Sequence, residues 1–158
     1  MTPSVKRHLI KFHEDDRAQR LQDVYQVGMK DSQINISYVN STEHCVGWHY
    51  HTKQTEYWFV VKGALKVGLV KSDVQIDEEK NKKDVVSGKV VGVEFEYLSD
   101  KNLQVLEIPP YVYHGYRALI PGTILMYYIN EKYEKVSKYD DERVPIGYFG
   151  EDWGTPNK

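Results

Sequence analysis

Two histidines one residue apart, His49 and His51, stand in the run Gly47-Trp48-His49-Tyr50-His51, and Glu56 follows shortly after. On an extended strand, residues i and i+2 project to the same side. Both imidazoles can therefore address one point, and a carboxylate on the adjoining strand can join them. His114, closing the run Pro109-Pro110-Tyr111-Val112-Tyr113-His114, is a further candidate. Imidazole and carboxylate donors with open positions suit a divalent metal; Zn, Fe, Mn, Ni and Cu all accept them, and donor type does not choose among these. The expected metal set is His49, His51, Glu56 and His114, with no organic cofactor. Cys45 is the only cysteine, so no intrachain disulfide forms; a lone cysteine reads first as a small buried hydrophobe rather than a nucleophile.

The elements that must position these residues look like strands. Residues 33–39 alternate, with Ile34, Ile36 and Tyr38 on one face and Asn35 and Ser37 on the other. Residues 89–97 place Val91, Val93, Phe95 and Tyr97 opposite Glu94 and Glu96. The apolar runs 56–61 and 65–70 are joined at Lys62-Gly63, a turn signal that predicts a hairpin. Residues 103–108 and 123–129 complete the set. Short strands without long helical patterns between them argue for a sandwich or barrel. Helix formers over 16–24 predict one helix, and a short helical turn is expected near 137–142. The polar, lysine-rich stretch 73–87 reads as an exposed loop.

Length and composition bound the rest. A chain of 158 residues, 41% hydrophobic and 28% charged, suits a single domain over 1–158 with one core. The 13 tyrosines and 3 tryptophans fit pleated, half-buried surfaces and lean toward an all-β fold. A formal net charge of -2 without a basic stripe argues against a nucleic-acid partner. No apolar run approaches the roughly 18 residues of a membrane span, and no signal-peptide pattern opens the chain, so a cytoplasmic protein is expected.

Taken together, His-x-His-x4-Glu-x6-Gly (His49 to Gly63) and Pro-x4-His (Pro109 to His114) resemble the two-part signature of the cupin superfamily. Tyr111 stands where glycine is usual in the second part. The resemblance implies a cupin, or jelly-roll, β-barrel with its site in the barrel mouth. Nearly the whole chain is similar to one branch, the dTDP-4-dehydrorhamnose 3,5-epimerase family. The similarity runs through Asp16-Arg17, Gln33-Ile34-Asn35-Ile36-Ser37, Gly47-Trp48-His49-Tyr50, Val60-Val61-Lys62-Gly63, His114-Gly115-Tyr116 and Met126-Tyr127, with Tyr133 six residues on. It implies proton abstraction beside the keto group of a nucleotide-activated 4-keto-hexose, in polysaccharide or glycoside biosynthesis. His49 would be the base, Tyr127 the acid on the opposite face, and His114 a pocket or oxyanion group. Arg17 would contact the nucleotide end, and Asn35, Trp58 and Tyr133 would complete the substrate-binding set. A homodimer is implied as well.

The departures from that family point one way. Val46 replaces an arginine that contacts the diphosphate, and Glu56 replaces a lysine that steadies the enolate. With His51 beside it, the position becomes a metal-binding one. The stretch from His49 to Glu56 is also similar to the metal-binding cupin domain of capsule enzymes that epimerise UDP-amino sugars, and sugar 3,4-ketoisomerases share a His-x-His strand. Two alternatives remain open on the sequence: a metal-dependent cupin oxygenase or small-molecule isomerase, and a non-catalytic sugar-binding cupin.

Overall fold

The structure is a computed structural model that describes residues 4–14, 19–22, 24–25, 32–72, 90–131, 140 and 142–154. Every regular element among them is a strand. In chain order they are β1 (Lys6–Leu9), β2 (Lys11–Glu14), β3 (Gln19–Gln22), β4 (Gln33–Val39), β5 (Cys45–Tyr50) and β6 (Glu56–Lys62), then β7 (Ala64–Ser72), β8 (Val90–Ser99), β9 (Gln104–Ile108), β10 (Val112–Ala118), β11 (Thr123–Ile129) and β12 (Glu142–Arg143). Two five-stranded antiparallel sheets, ordered β1-β9-β6-β11-β4 and β12-β5-β10-β7-β8, sandwich the core; β2 and β3 form a separate ribbon. Period-2 alternation sends Trp58, Val60, Leu106, Ile108 and Leu125 of the first sheet against Leu65, Val67, Leu69, Val112 and Ala118 of the second. This is the all-β jelly-roll architecture that the resemblance implied.

The predicted hairpin at Lys62-Gly63 is a corner instead. Strand β6 pairs with β9 and β11, while β7 pairs with β8 and β10, so consecutive strands leave Gly63 for opposite sheets. A turn signal marks a change of direction, and whether the next strand returns to the same sheet depends on distant partners. Here the partners are visible: Asp100 Oδ2 accepts from the Gly63 N–H at 2.9 Å, and Thr123 Oγ1 accepts from the Ala64 N–H at 3.2 Å. Gly63 has φ +89°, and a Cβ there would lie 2.3 Å from Thr123 Oγ1.

The helix predicted over 16–24 is also corrected, because Gln19–Gln22 pairs as a strand with Lys11–Glu14. Cross-strand pairing overrides helix propensity, a weak prior. At the other helical expectation, Glu142–Arg143 is strand β12, paired with Tyr50 and His49. The expected loop 73–87 lies outside the described residues. Strands β4 and β11 have the expected limits.

The outer face of the first sheet is covered by Ile10 and Tyr25 packed on Phe59, Val105 and Tyr128. On the second sheet the segment 144–153 lies over Trp48, Tyr50, Val70 and Tyr113. Glu151 fastens it. Its Oε1 accepts from Trp48 Nε1 at 2.8 Å, Trp153 Nε1 at 3.0 Å and Gly147 N at 2.7 Å, and its Oε2 accepts from Phe149 N at 3.1 Å. Gly68 lies beneath both indoles, where a Cβ would approach Trp48 to 2.5 Å. No helix among the described residues is long and apolar enough to cross a membrane.

Candidate functional site

Along β5 the pleat sends Trp48 and Tyr50 outward under the C-terminal segment and turns His49 and His51 into the barrel. Strand β10 lies alongside, with His114 opposite His49 and the two rings stacked at 6.1 Å. Glu56 opens β6 on the facing sheet. Three of these side chains converge: the ligating atoms of His51, Glu56 and His114 all lie within 4.8 Å of one another, and the three residues are 8%, 6% and 3% exposed. His51 Nε2 is 3.2 Å from Glu56 Oε1, and His114 Nε2 is 3.7 Å from Glu56 Oε2. His49 stands beside this triad, half-buried, and is not one of its converging donors.

The far nitrogen of each imidazole is fixed by a carbonyl. His51 Nδ1 meets Asp140 O at 2.5 Å and His114 Nδ1 meets Val112 O at 3.0 Å. A carbonyl only accepts, so both Nδ1 atoms donate and both Nε2 atoms face Glu56. Glu56 is held in turn: Gln54 Nε2 donates to Oε1 at 2.6 Å and Trp58 Nε1 donates to Oε2 at 2.5 Å. Orienting partners on the far side of each donor are what a metal site needs.

Charge follows from these contacts. Burial works against ionising Glu56, yet the facing imidazoles of His114 and His51 and the Trp58 donor hold its carboxyl down at about 2. Burial dominates at His114 and lowers it to about 4, so near neutral pH it is an uncharged imidazole with a lone pair on Nε2. Once His114 is neutral its charge no longer acts on Glu56, and the carboxylate is then held by His51 and by the Trp58 and Gln54 donors. At His51 burial lowers the value, but Glu56 and Asp140 outweigh it and the net shift is upward.

Beyond the triad, the interior is polar toward the Glu56 end of β6 and apolar toward Val60. Trp58, 4% exposed, sets its edge against His114 at 5.4 Å and Tyr116 at 5.5 Å. Tyr127 sits in register between Trp58 and Asn35. Ser37 hydrogen-bonds both Tyr116 and Tyr127; burial raises both phenols, and the charge of Glu56 raises them further. Asn35 accepts from Gln33 Nε2 at 2.8 Å. Cys45 packs, half-buried, against the outer aromatic cluster. Arg17 and Tyr133 lie outside the described residues.

Four participants escaped the sequence reading. Tyr116 was within reach of the i, i+2 rule from His114, and Ser37 of the same rule from Asn35. Gln54 sits two residues before Glu56 and shares its side. Asp140 carries no local signal: its carboxylate accepts from Thr52 N and Thr52 Oγ1 at 2.5 Å, Lys53 N at 3.1 Å and Gln54 N at 3.3 Å. This aspartate from the C-terminal part of the chain serves His51 and the turn after it.

No family model matches the chain. The spore coat polysaccharide biosynthesis protein SpsL of Bacillus subtilis (strain 168) is 32% identical over 111 residues, a match that spans 68% of this chain and 66% of that protein. Among solved structures, dTDP-4-dehydrorhamnose 3,5-epimerase from Bacillus anthracis, with TDP and PPi bound, has a TM-score of 0.71 at 24% identity, covering 96% of this chain and 86% of that one. A mutant of the 3,4-ketoisomerase QdtA from Thermoanaerobacterium thermosaccharolyticum, in complex with TDP-4-keto-6-deoxyglucose, has a TM-score of 0.65 at 16% identity, covering 89% and 87%.

Proposed function

The chain has the fold of the cupin-type sugar epimerases and ketoisomerases, and on that premise we propose that it is an epimerase or isomerase of a nucleotide-activated 4-keto-hexose, serving polysaccharide biosynthesis in the cytoplasm. The observation that carries the reading is the convergence of His51, Glu56 and His114 inside the barrel, with His49 stacked on His114 beside them and Tyr127 close enough to feel the charge of Glu56. A keto group acidifies the hydrogens on its neighbouring carbons, so the reaction needs a base, a stabiliser for the enolate and an acid on the other face. His49, outside the converging triad, takes the proton. The half-buried phenol of Tyr127, hydrogen-bonded to Ser37, returns one.

His51, Glu56 and His114 fit a divalent cation: two Nε2 atoms and a carboxylate converge, and each imidazole is oriented from behind. Such a cation would supply Lewis acidity toward an adjacent carbonyl oxygen. The proposal includes a homodimer. Strand β4 has one neighbour among the described residues, β11, and turns Ile34, Ile36 and Tyr38 to solvent; edge strands of this kind are commonly covered by a partner.

The test is solvent deuterium exchange into TDP-4-keto-6-deoxyglucose, together with elemental analysis of the wild type and Glu56→Gln. Deuterium at a carbon beside the keto group is the expected result, with metal and exchange lost together in the variant. Full exchange by a metal-free protein would sink the metal assignment. The triad also admits a second reading, since two imidazoles and a carboxylate suit non-haem Fe(II); oxygen uptake without exchange would favour it. A ligand-induced rise in melting temperature with neither reaction would favour a sugar-binding role.

A further inference from the structure

Asp140 touches the site through two chemically different groups. Its buried carboxylate, 3% exposed, collects the N–H groups of Thr52, Lys53 and Gln54 and the Thr52 hydroxyl. Consecutive backbone N–H groups wrapped around one anion fix the shape of the turn. Its main-chain carbonyl accepts from His51 Nδ1 at 2.5 Å. Both ends of the 51–54 turn meet the donor triad, for His51 is a member and the Gln54 amide donates to Glu56 at 2.6 Å.

The same residue begins the segment that runs back along β5. Glu142 pairs with Tyr50 and Arg143 with His49. Val144 exchanges backbone hydrogen bonds with Trp48 at 3.0 and 3.2 Å, and the chain continues to Glu151 and its two indoles. His114 has no such dependence, because its Nδ1 is held by Val112 on its own strand.

We propose that Asp140 is the positioning residue of the donor triad: it fixes the tautomer of His51 and the placement of Gln54, and so makes the competence of the site depend on docking of the C-terminal segment. A neutral imidazole exposes its lone pair on whichever nitrogen lacks the proton. Two acceptors face the ring, the Glu56 carboxylate at 3.2 Å from Nε2 and the Asp140 carbonyl at 2.5 Å from Nδ1; the nearer one holds the single proton of the neutral ring on Nδ1 and leaves the lone pair on Nε2. Released from the carbonyl, His51 is free to carry its proton on Nε2 and turn a donor toward the other ligands. The consequence for metal affinity rests on the metal assignment made above; the tautomer does not.

The experiment compares imidazole 15N spectra of the full-length wild type and Asp140→Ala at pH 9, where uncharged rings report their tautomers. In the wild type both His51 and His114 are expected as the Nδ1–H form. In Asp140→Ala, His51 should become a mixture of tautomers while His114 stays unchanged, which also shows that the barrel is intact. A lowered melting temperature with His51 still in the Nδ1–H form would overturn the proposal and leave Asp140 a turn clamp. Should Asp140→Ala fail to fold, Thr52→Val removes one donor from the same carboxylate and should give a smaller shift of the same sign; no shift there would overturn the proposal equally. A parallel Co(II) titration should show affinity lowered roughly 10- to 100-fold in Asp140→Ala, the usual effect of disturbing an orienting partner, because the variant keeps the carbonyl and loses the carboxylate that seats it. If the wild type binds no Co(II), the metal assignment fails, and the tautomer comparison still decides the role of Asp140.

Discussion

His49 and His51 leave the same strand on the same side, yet their surroundings differ. His51 is pinned front and back, between Glu56 and the Asp140 carbonyl, whereas His49 lies against the His114 ring outside the triad. The two positions should therefore separate in mutation. His49→Asn is expected to keep the metal content of the wild type and to lose kcat by about 100- to 10,000-fold, the usual contribution of a positioned base. His51→Asn should lose metal first. Metal analysis beside steady-state kinetics checks both, and parallel loss of metal in the two variants would return His49 to the ligand set. At this scale the sequence spacing carried most of the site, because the i, i+2 rule and the His-x-His-x4-Glu pattern need only local geometry. Asp140 was invisible for the opposite reason: it reaches His51 through a main-chain oxygen, which no residue type reports.

At the scale of elements, patterning located strands better than it located their partners. Strands β4 and β11 have the limits that alternation predicts, because each residue's side is fixed by the pleat. Alternation alone does not tell which face of β4 is inside; the family resemblance is what pointed to Asn35. Asn35 and Ser37 face the site, and Ile36 and Tyr38 are 53% and 69% exposed, since a polar lumen inverts the usual rule that apolar faces point inward. The corner at Gly63 had the same origin, a correct break with an unreadable destination. Gly63→Ala tests that corner. The positive φ and the 2.3 Å approach to Thr123 Oγ1 should cost about 1–3 kcal/mol in denaturant unfolding, where an ordinary loop glycine would tolerate alanine. The C-terminal segment makes a second prediction through Glu151. Burial pushes its carboxyl up, but the hydrogen bonds from Gly147 and the two indoles outweigh this and hold it below its ordinary 4.5. A depressed folded value means that its stabilisation is fully present above 4.5 and is lost as pH falls through the lowered value. Glu151→Gln should be less stable than the wild type at pH 7, and the gap should narrow on acidification below 4.5. A gap that holds constant in urea titrations from pH 7 to pH 3 would contradict the assignment.

For the whole molecule, the arrangement of sheets decides what it shows to its surroundings. The first sheet ends at β4, and Ile34, Ile36 and Tyr38 form an exposed apolar row along that edge. If a second copy covers it, Ile36→Lys should shift the protein from dimer to monomer in light scattering, with the barrel still folded by circular dichroism; an unchanged mass would move the interface elsewhere. The two sheets meet in a barrel whose interior is polar around His51, Glu56 and His114 and apolar around Val60, Leu65 and Leu125. One consequence is optical. All 3 tryptophans of the chain place their indole N–H on a glutamate: Trp58 on Glu56 inside the barrel, Trp48 and Trp153 together on Glu151 outside it. Native fluorescence is thus divided between two reporters on opposite sides of one sheet. Emission from Trp58 should respond when Glu56 changes partners, while the Trp48–Trp153 pair should respond when the C-terminal segment lifts. Trp58→Phe silences the first signal, so filling of the barrel and loosening of its wrap can be watched separately in one unlabelled protein.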